Sequence, residues 1–248
     1  MMMASTPIRR RGAGDGDADV DVALATSTPA SQRRAMITLH GSTTSPFVRR
    51  VRVVCIEKAL PFTLMNTATE DGQRALDAVS PIGKVPVARL DDGRVVFDSR
   101  VILDELCRPG AGDDARAGWA PLRAPFADAR ARVDEENATN LVDEALLALV
   151  RLFYLRRDGV DLAAAYLQKE QRRAATILRH LDDQIIGHHL TRRAAEEGGL
   201  GRPELALVTA LDWMQFRGTF DLTTVPRLNA ALQWWLGQRS SLAQTRPG

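Results

Sequence analysis

An α/β domain followed by an all-α helical bundle is the architecture this sequence predicts. Three observations predict it. Between Met36 and Cys107, short strand-like apolar runs alternate with helical periodicity in the order β-α-β-α-β-β-α. A stretch rich in Pro, Gly and Asp then breaks the pattern. Beyond that break the periodic segments are helical, and their local contacts point to a bundle. The expected organisation is a disordered tail (1–35), an α/β domain (36–107), a linker (108–123), an all-helical domain (124–240) and a second tail (241–248).

Residues 1–35 hold Gly, Asp, Ser, Thr, Ala and Arg without a usable period, which supports the disordered reading. Met36 to His40 reads as a strand. A loop, Gly41 to Ser45, leads to Pro46, which suits the first turn of a helix. Phe47, Val48, Val51, Val54 and Cys55 share one face of that helix, with Arg49, Arg50, Arg52 and Lys58 mostly off it. Pro61 ends the helix, and Phe62 to Met65 forms a second strand. A right-handed crossover makes these two strands parallel.

The polar stretch Asn66 to Arg74 precedes a weak helical segment at Ala75 to Val79. Pro86 to Leu90 and Arg94 to Phe97 read as strands joined by Asp91-Asp92-Gly93, a hairpin signal. Ser99 to Cys107 reads as a helix. In the second half, helices are expected near 124–157, 162–186, 204–217 and 225–238. Gly198, Gly199 and Gly201 mark the break before the third of these.

Lys and Arg total 33 and Asp and Glu total 31, so the net charge of +2 gives no electrostatic case for nucleic acid. No apolar run reaches the ~20 residues needed to span a bilayer, so no membrane partner is expected. The chain has two cysteines, Cys55 and Cys107, without CxxC spacing. That excludes a disulfide framework, gives no metal site, and fits a cytoplasmic location.

Several segments together carry a family resemblance. Thr44-Ser45-Pro46-Phe47-Val48-Arg49-Arg50-Val51-Arg52 resembles the first-helix motif of serine-type bacterial glutathione transferases. Ser80-Pro81-Ile82-Gly83-Lys84-Val85-Pro86-Val87 is similar to their Asn-Pro-x-Gly-Lys-Val-Pro segment. Phe97-Asp98-Ser99 with Ile102 and Leu103 is similar to their (Glu/Asp)-Ser-x-x-Ile element. Leu211-Asp212-Trp213, Phe216-Arg217, Pro226, Trp234 and Thr245-x-Pro247 are similar to one bacterial subgroup. The resemblance to the glutathione S-transferase superfamily spans roughly 36–247. It implies a thioredoxin-like fold for the first domain.

The resemblance also implies a chemistry. Ser45, at the mouth of the first helix, would assist the sulfur of glutathione, where free amides and the helix dipole gather. From the residues alone Ser45 is equally an N-cap, and Ser42 and Thr44 are alternative hydroxyl donors. The resemblance makes Val85-Pro86 a cis peptide that turns the Val85 main chain toward the tripeptide; composition alone would have a trans proline opening an edge strand. It gives Ser99 the γ-glutamyl carboxylate at a helix N-terminus, and Asp98 the amino group. The capping alternative stays open for both. Lys84 faces either the glycyl carboxylate or solvent.

For the second substrate, Asn140, Tyr154 and Phe216 are candidate wall residues. Asn137, Asn140 and Asp143 lie along one side of the long helix, where capping and solvation are the favoured reading. Trp213 fits core packing better than a wall. The family's Ser-x-x-Asp box is expected at Glu204-Leu205-Ala206-Leu207, with Leu207 in the acidic position. The implied activity is enzymatic: glutathione, a co-substrate with no further cofactor, attacks a small electrophile or peroxide, and the protein is a homodimer. The alternative is a non-catalytic binding or protein-interaction module of the same fold.

Overall fold

The computed structural model describes residues 36–108, 128–183 and 199–247. The expected N-terminal tail and most of the linker lie outside them. The first domain runs β1 (Ile37–Gly41), α1 (Pro46–Glu57), β2 (Phe62–Asn66), α2 (Glu70–Asp77), β3 (Val87–Arg89), β4 (Val95–Phe97) and α3 (Ser99–Leu106). This is the predicted order. The helical half comprises α4 (Ala129–Arg157), α5 (Ala165–His180), α6 (Arg202–Arg217), a short 3-10 turn (Leu222–Thr224), α7 (Pro226–Gln238) and α8 (Ser240–Gln244).

The four strands form one sheet in the order β2-β1-β3-β4. β1 and β2 are parallel, as the crossover through α1 requires. β1 with β3, and β3 with β4, are antiparallel. At Gly41 the end of β1 meets α1 so closely that an added Cβ would lie inside the Val48 side chain. Only glycine allows this approach.

Four local expectations need correction. α2 begins at Glu70, five residues before the apolar segment read as its start, because Thr69 caps it by accepting the Gly72 N–H. Only Gly72 and Leu76 of this helix are buried, so it carries little apolar period. α6 begins at Arg202 with Gly201 at its N-cap. No side chain caps this helix, so the reciprocal capping pair is missing, as Leu207 in place of the family's Asp implies; the residue three beyond Gly201 is the buried Glu204. Residues 241–247 are packed against the core: Ser241, Leu242 and Thr245 are buried.

The fourth correction concerns α1. Arg49 and Arg50, read as lying off the apolar face, are each only 1% exposed. α1 is covered on a second side by α6 and α8, so both its flanks are interior. α6 is the spine of the helical half, buried continuously from Pro203 to Met214. It packs against α4, α1 and α7, and α4 packs also against α5. Trp213 is in this core, as expected.

Candidate functional site

The predicted site segments converge because of strand register. His40 pairs with Val87, and Val87 pairs with Phe97. The C-terminal end of β1, the N-terminal end of β3 and the C-terminal end of β4 therefore lie side by side. The loop after β1, the entry to β3 and the start of α3 thus meet at one end of the sheet, where the ladder stops at Pro86 for want of an N–H.

Within that end, Pro46 opens α1 and Ser45 is its N-cap, with extended backbone (φ −76°, ψ 125°). The Ser45 hydroxyl oxygen accepts the Val48 N–H at 3.3 Å. The Ser45 carbonyl accepts the Arg49 N–H at 3.0 Å. Ser42 and Thr44 behave differently. Their hydroxyl oxygens are 2.8 Å apart, and the Ser42 oxygen also accepts the Thr44 N–H at 3.2 Å. The bond between these two hydroxyls uses one proton, so one of them also retains an O–H. Ser45 differs in being the N-cap of α1, where its oxygen accepts from the helix and its proton is left to donate.

The Val85–Pro86 peptide bond is cis. Pro86 is buried, Val85 half-buried and Lys84 exposed. Asp98 caps α3 by accepting the Arg100 N–H at 2.8 Å, with a positive φ of 69°. A non-glycine residue held there costs roughly 1–3 kcal/mol, and such strain clusters at functional sites. Ser99 follows it, 2% exposed at the N-terminus of α3.

α4 closes the site from the helical half. Asn140 accepts a hydrogen bond from Arg100 at 2.6 Å, beside Ser99. One turn on, Asp143 forms an ion pair of 2.6 Å with Arg50, beneath Ser45. Arg50 also donates to Thr209 at 3.3 Å and lies over the Phe47 ring at 4.9 Å. The sequence left Asp143 either facing the cleft or, preferably, solvating the helix; it has a buried cation as its partner. Phe47, beside Ser45, is an aromatic group at this site that the sequence placed in the helix core.

The other two wall candidates are elsewhere. Tyr154 is fourteen residues beyond Asn140, about 21 Å along α4. It packs edge-on to Phe153, which packs edge-on to Trp213. Arg217 lies over both Phe153 and Phe216, tying Phe216 to the same cluster. Tyr154 and Phe216 are therefore together, and Asn140 is apart from them.

The thiols and the nearby imidazole are poor reactants. Cys55 and Cys107 are fully buried, and burial pushes their pKa values up to about 12 and about 11. Both stay protonated near neutrality. Burial, and then Arg89, lowers the pKa of His40, which stays neutral on the sheet face opposite α1. Among the described residues, no group of His, Cys, Asp or Glu is arranged to hold a metal ion. None of their helices is long and apolar enough to cross a membrane.

Known proteins share this architecture. The family profile "Glutathione S-transferase, N-terminal domain" matches residues 39–112. The uncharacterised GST-like protein YibF of Escherichia coli (strain K12) is 27% identical over 212 residues, covering 84% of this chain and 98% of its own. A glutathione S-transferase of Methylobacillus flagellatus, crystallised with glutathione bound, superposes with a TM-score of 0.69 at 24% identity. That match covers 86% of this chain and 100% of the other. A glutathione transferase family member of Pseudomonas fluorescens Pf-5, also with bound glutathione, gives 0.64 at 25% identity over 86% and 99%.

Proposed function

Because the chain belongs to the glutathione S-transferase superfamily, we propose that it is a serine-type member that ionises glutathione at the mouth of α1. The bound thiol loses its proton to solvent. The thiolate then attacks an electrophilic carbon, forming a C–S bond as the leaving group departs with its electron pair. With a peroxide the same thiolate attacks oxygen, forming an S–O bond as the O–O bond breaks and the alkoxide leaves with the electron pair and takes up a proton. A second glutathione thiol then attacks the sulfenic sulfur, giving glutathione disulfide and water.

The observation that carries this reading is the contrast among the three hydroxyls. Ser45 is the one that caps α1: its oxygen accepts the Val48 N–H at the positive end of the helix and its proton is left to donate, whereas Ser42 and Thr44 bond to each other in the loop before it. A hydrogen bond from Ser45 to a thiolate is charge-assisted and worth roughly 1.5–3 kcal/mol. The helix end adds roughly 0.3–1 kcal/mol. A free thiol has a pKa of ~8.5 and each unit is ~1.36 kcal/mol, so these two terms lower it by roughly one to three units.

The rest of the tripeptide is assigned by what surrounds Ser45. The Val85 main chain, freed from the ladder by the cis bond to Pro86, pairs with the cysteinyl residue. Ser99 and the α3 amides take the γ-glutamyl carboxylate, with Asp98 beside the amino group. Lys84, exposed and adjacent, meets the glycyl carboxylate. Asn140 and Phe47 flank the electrophile; Tyr154 and Phe216 lie too far along the bundle to do so. In this reading the protein works in the cytoplasm as a homodimer.

Steady-state assays with a panel of electrophiles and peroxides test the proposal. Ser45→Ala is expected to keep its fold and lose roughly 10- to 100-fold in kcat, the kinetic equivalent of the lost hydrogen bond. Equal rates in the two proteins remove Ser45 from the chemistry. No binding at millimolar glutathione leaves only a non-catalytic module.

A further inference from the structure

Arg49 sits one turn into α1, and its own N–H donates to the Ser45 carbonyl. Its side chain is buried, and each of its three nitrogens has a partner. It donates from NH1 to Asp212 at 2.6 Å, from NH2 to the Leu242 carbonyl at 2.8 Å and from Nε to Thr245 at 3.2 Å. Asp212 in turn accepts from Arg246 at 2.8 Å. Thr245 is fixed by donating to the Ser241 carbonyl at 2.7 Å. These partners are 163 to 196 residues away in sequence.

Stability alone is a weak reason for this arrangement. Replacing a buried ion pair with well-packed apolar side chains is often neutral or stabilising. What the guanidinium does that an apolar residue cannot is fix geometry. Its planar fork meets three anchors on α6 and the C-terminal segment at once. Three anchors on one rigid group define both the rotation and the height of the first turn of α1. The hydroxyl at that turn's mouth belongs to the first domain, whereas the wall at Asn140 and Asp143 belongs to the second. Near Ser45, Arg49 and Arg50 are the side chains of α1 that join these two sets.

We propose that Arg49 is a positioning residue for Ser45, with the C-terminal segment at Leu242 and Thr245 and the carboxylate of Asp212 as its mount. The inference rests on the role given above to Ser45. It makes the last residues of the chain part of the catalytic geometry, although they lie behind α1 and touch no substrate.

Three variants test it in the intact protein. Thr245→Val keeps the side-chain shape and removes the acceptor for Nε together with the hydroxyl's own bond to the Ser241 carbonyl. Arg49→Met removes the fork, and Arg49→Lys restores the charge without the fork. Because a displacement near 1 Å can cost on the order of 100-fold, a partial release at Thr245→Val is expected to lower kcat ~3- to 10-fold, with KM for glutathione within about twofold. Arg49→Met is expected to lose more, and Arg49→Lys to regain thermal stability but only part of kcat. Near-UV circular dichroism establishes that Thr245→Val and Arg49→Lys are folded, which keeps the test sound if Arg49→Met is not. Wild-type kcat in folded Thr245→Val and Arg49→Lys overturns the inference. Ser45→Ala in the same assay separates the failures. A slow Ser45→Ala beside two full-rate mount variants sinks only the positioning role. A full-rate Ser45→Ala sinks both readings.

Discussion

At the mouth of α1, Ser42, Thr44 and Ser45 are half-buried and bond within three residues of themselves. One turn further along, Arg49 is buried and reaches partners at the opposite end of the chain. The two regions share a helix and little else. Local bonds at the mouth can be altered without disturbing the fold, which leaves those groups to chemistry. The seam behind it joins both halves of the molecule, so a change there is felt everywhere. On the proposed reading the difference gives a reason for a hydroxyl and a buried cation to stand four residues apart: one would supply the reactivity and the other the coordinates.

The largest expected effect breaks the seam. Asp212→Leu leaves the Arg49 guanidinium buried without its carboxylate, and an unpaired buried charge costs about 3–5 kcal/mol. Ser45→Ala removes only an N-cap bond and should cost about 1 kcal/mol. Denaturant unfolding of both variants checks the contrast. Comparable losses would mean that the mouth is structural too. The double variant Arg49→Met with Asp212→Leu sharpens it by removing both charges, and should recover much of the stability but not the turnover.

A smaller effect concerns the other face of β1. His40 is buried with its Nδ1 unpartnered, and its folded pKa lies below the ordinary 6.5. Between the folded value and 6.5 the unfolded chain binds more protons, so stability falls as pH drops below about 6.5. Above that window both states are neutral and His40 contributes no slope. Unfolding free energies from pH 8 to 5 should show this decline, and His40→Asn should flatten part of it. An unchanged profile in the variant would assign the slope to other groups.

Much of the first domain was legible in the sequence, because its signals are local. Ser45-Pro46 marks a helix start, Asp92-Gly93 a hairpin, and the strand runs are short and apolar. Motif order put the segments of Ser45, Val85 and Ser99 next to β1, β3 and β4, and the strand register brings the corresponding ends of those strands together. The start of α2 was missed, although Thr69 followed by Glu70 and Asp71 is a polar helix-start signal that needs no apolar face. The burial of Arg49 was not legible. A one-helix periodicity assigns arginines to solvent, and nothing local reveals that α6 and the C-terminal segment cover that flank. The Thr245-x-Pro247 match was visible without its reason, which is the bond to Arg49. Tyr154 and Phe216 were chosen by residue type, and helix rise carries them away from Asn140.

The central claim is tested most directly by titrating the sulfur itself. Thiolate absorbance near 240 nm, followed against pH for glutathione bound to the wild-type protein and to Ser45→Ala, reads the ionisation without a second substrate. A bound thiol pKa lowered by roughly one to three units from ~8.5 in the wild type, and returning most of the way in Ser45→Ala, is the predicted result. The same bound pKa in both proteins would contradict it.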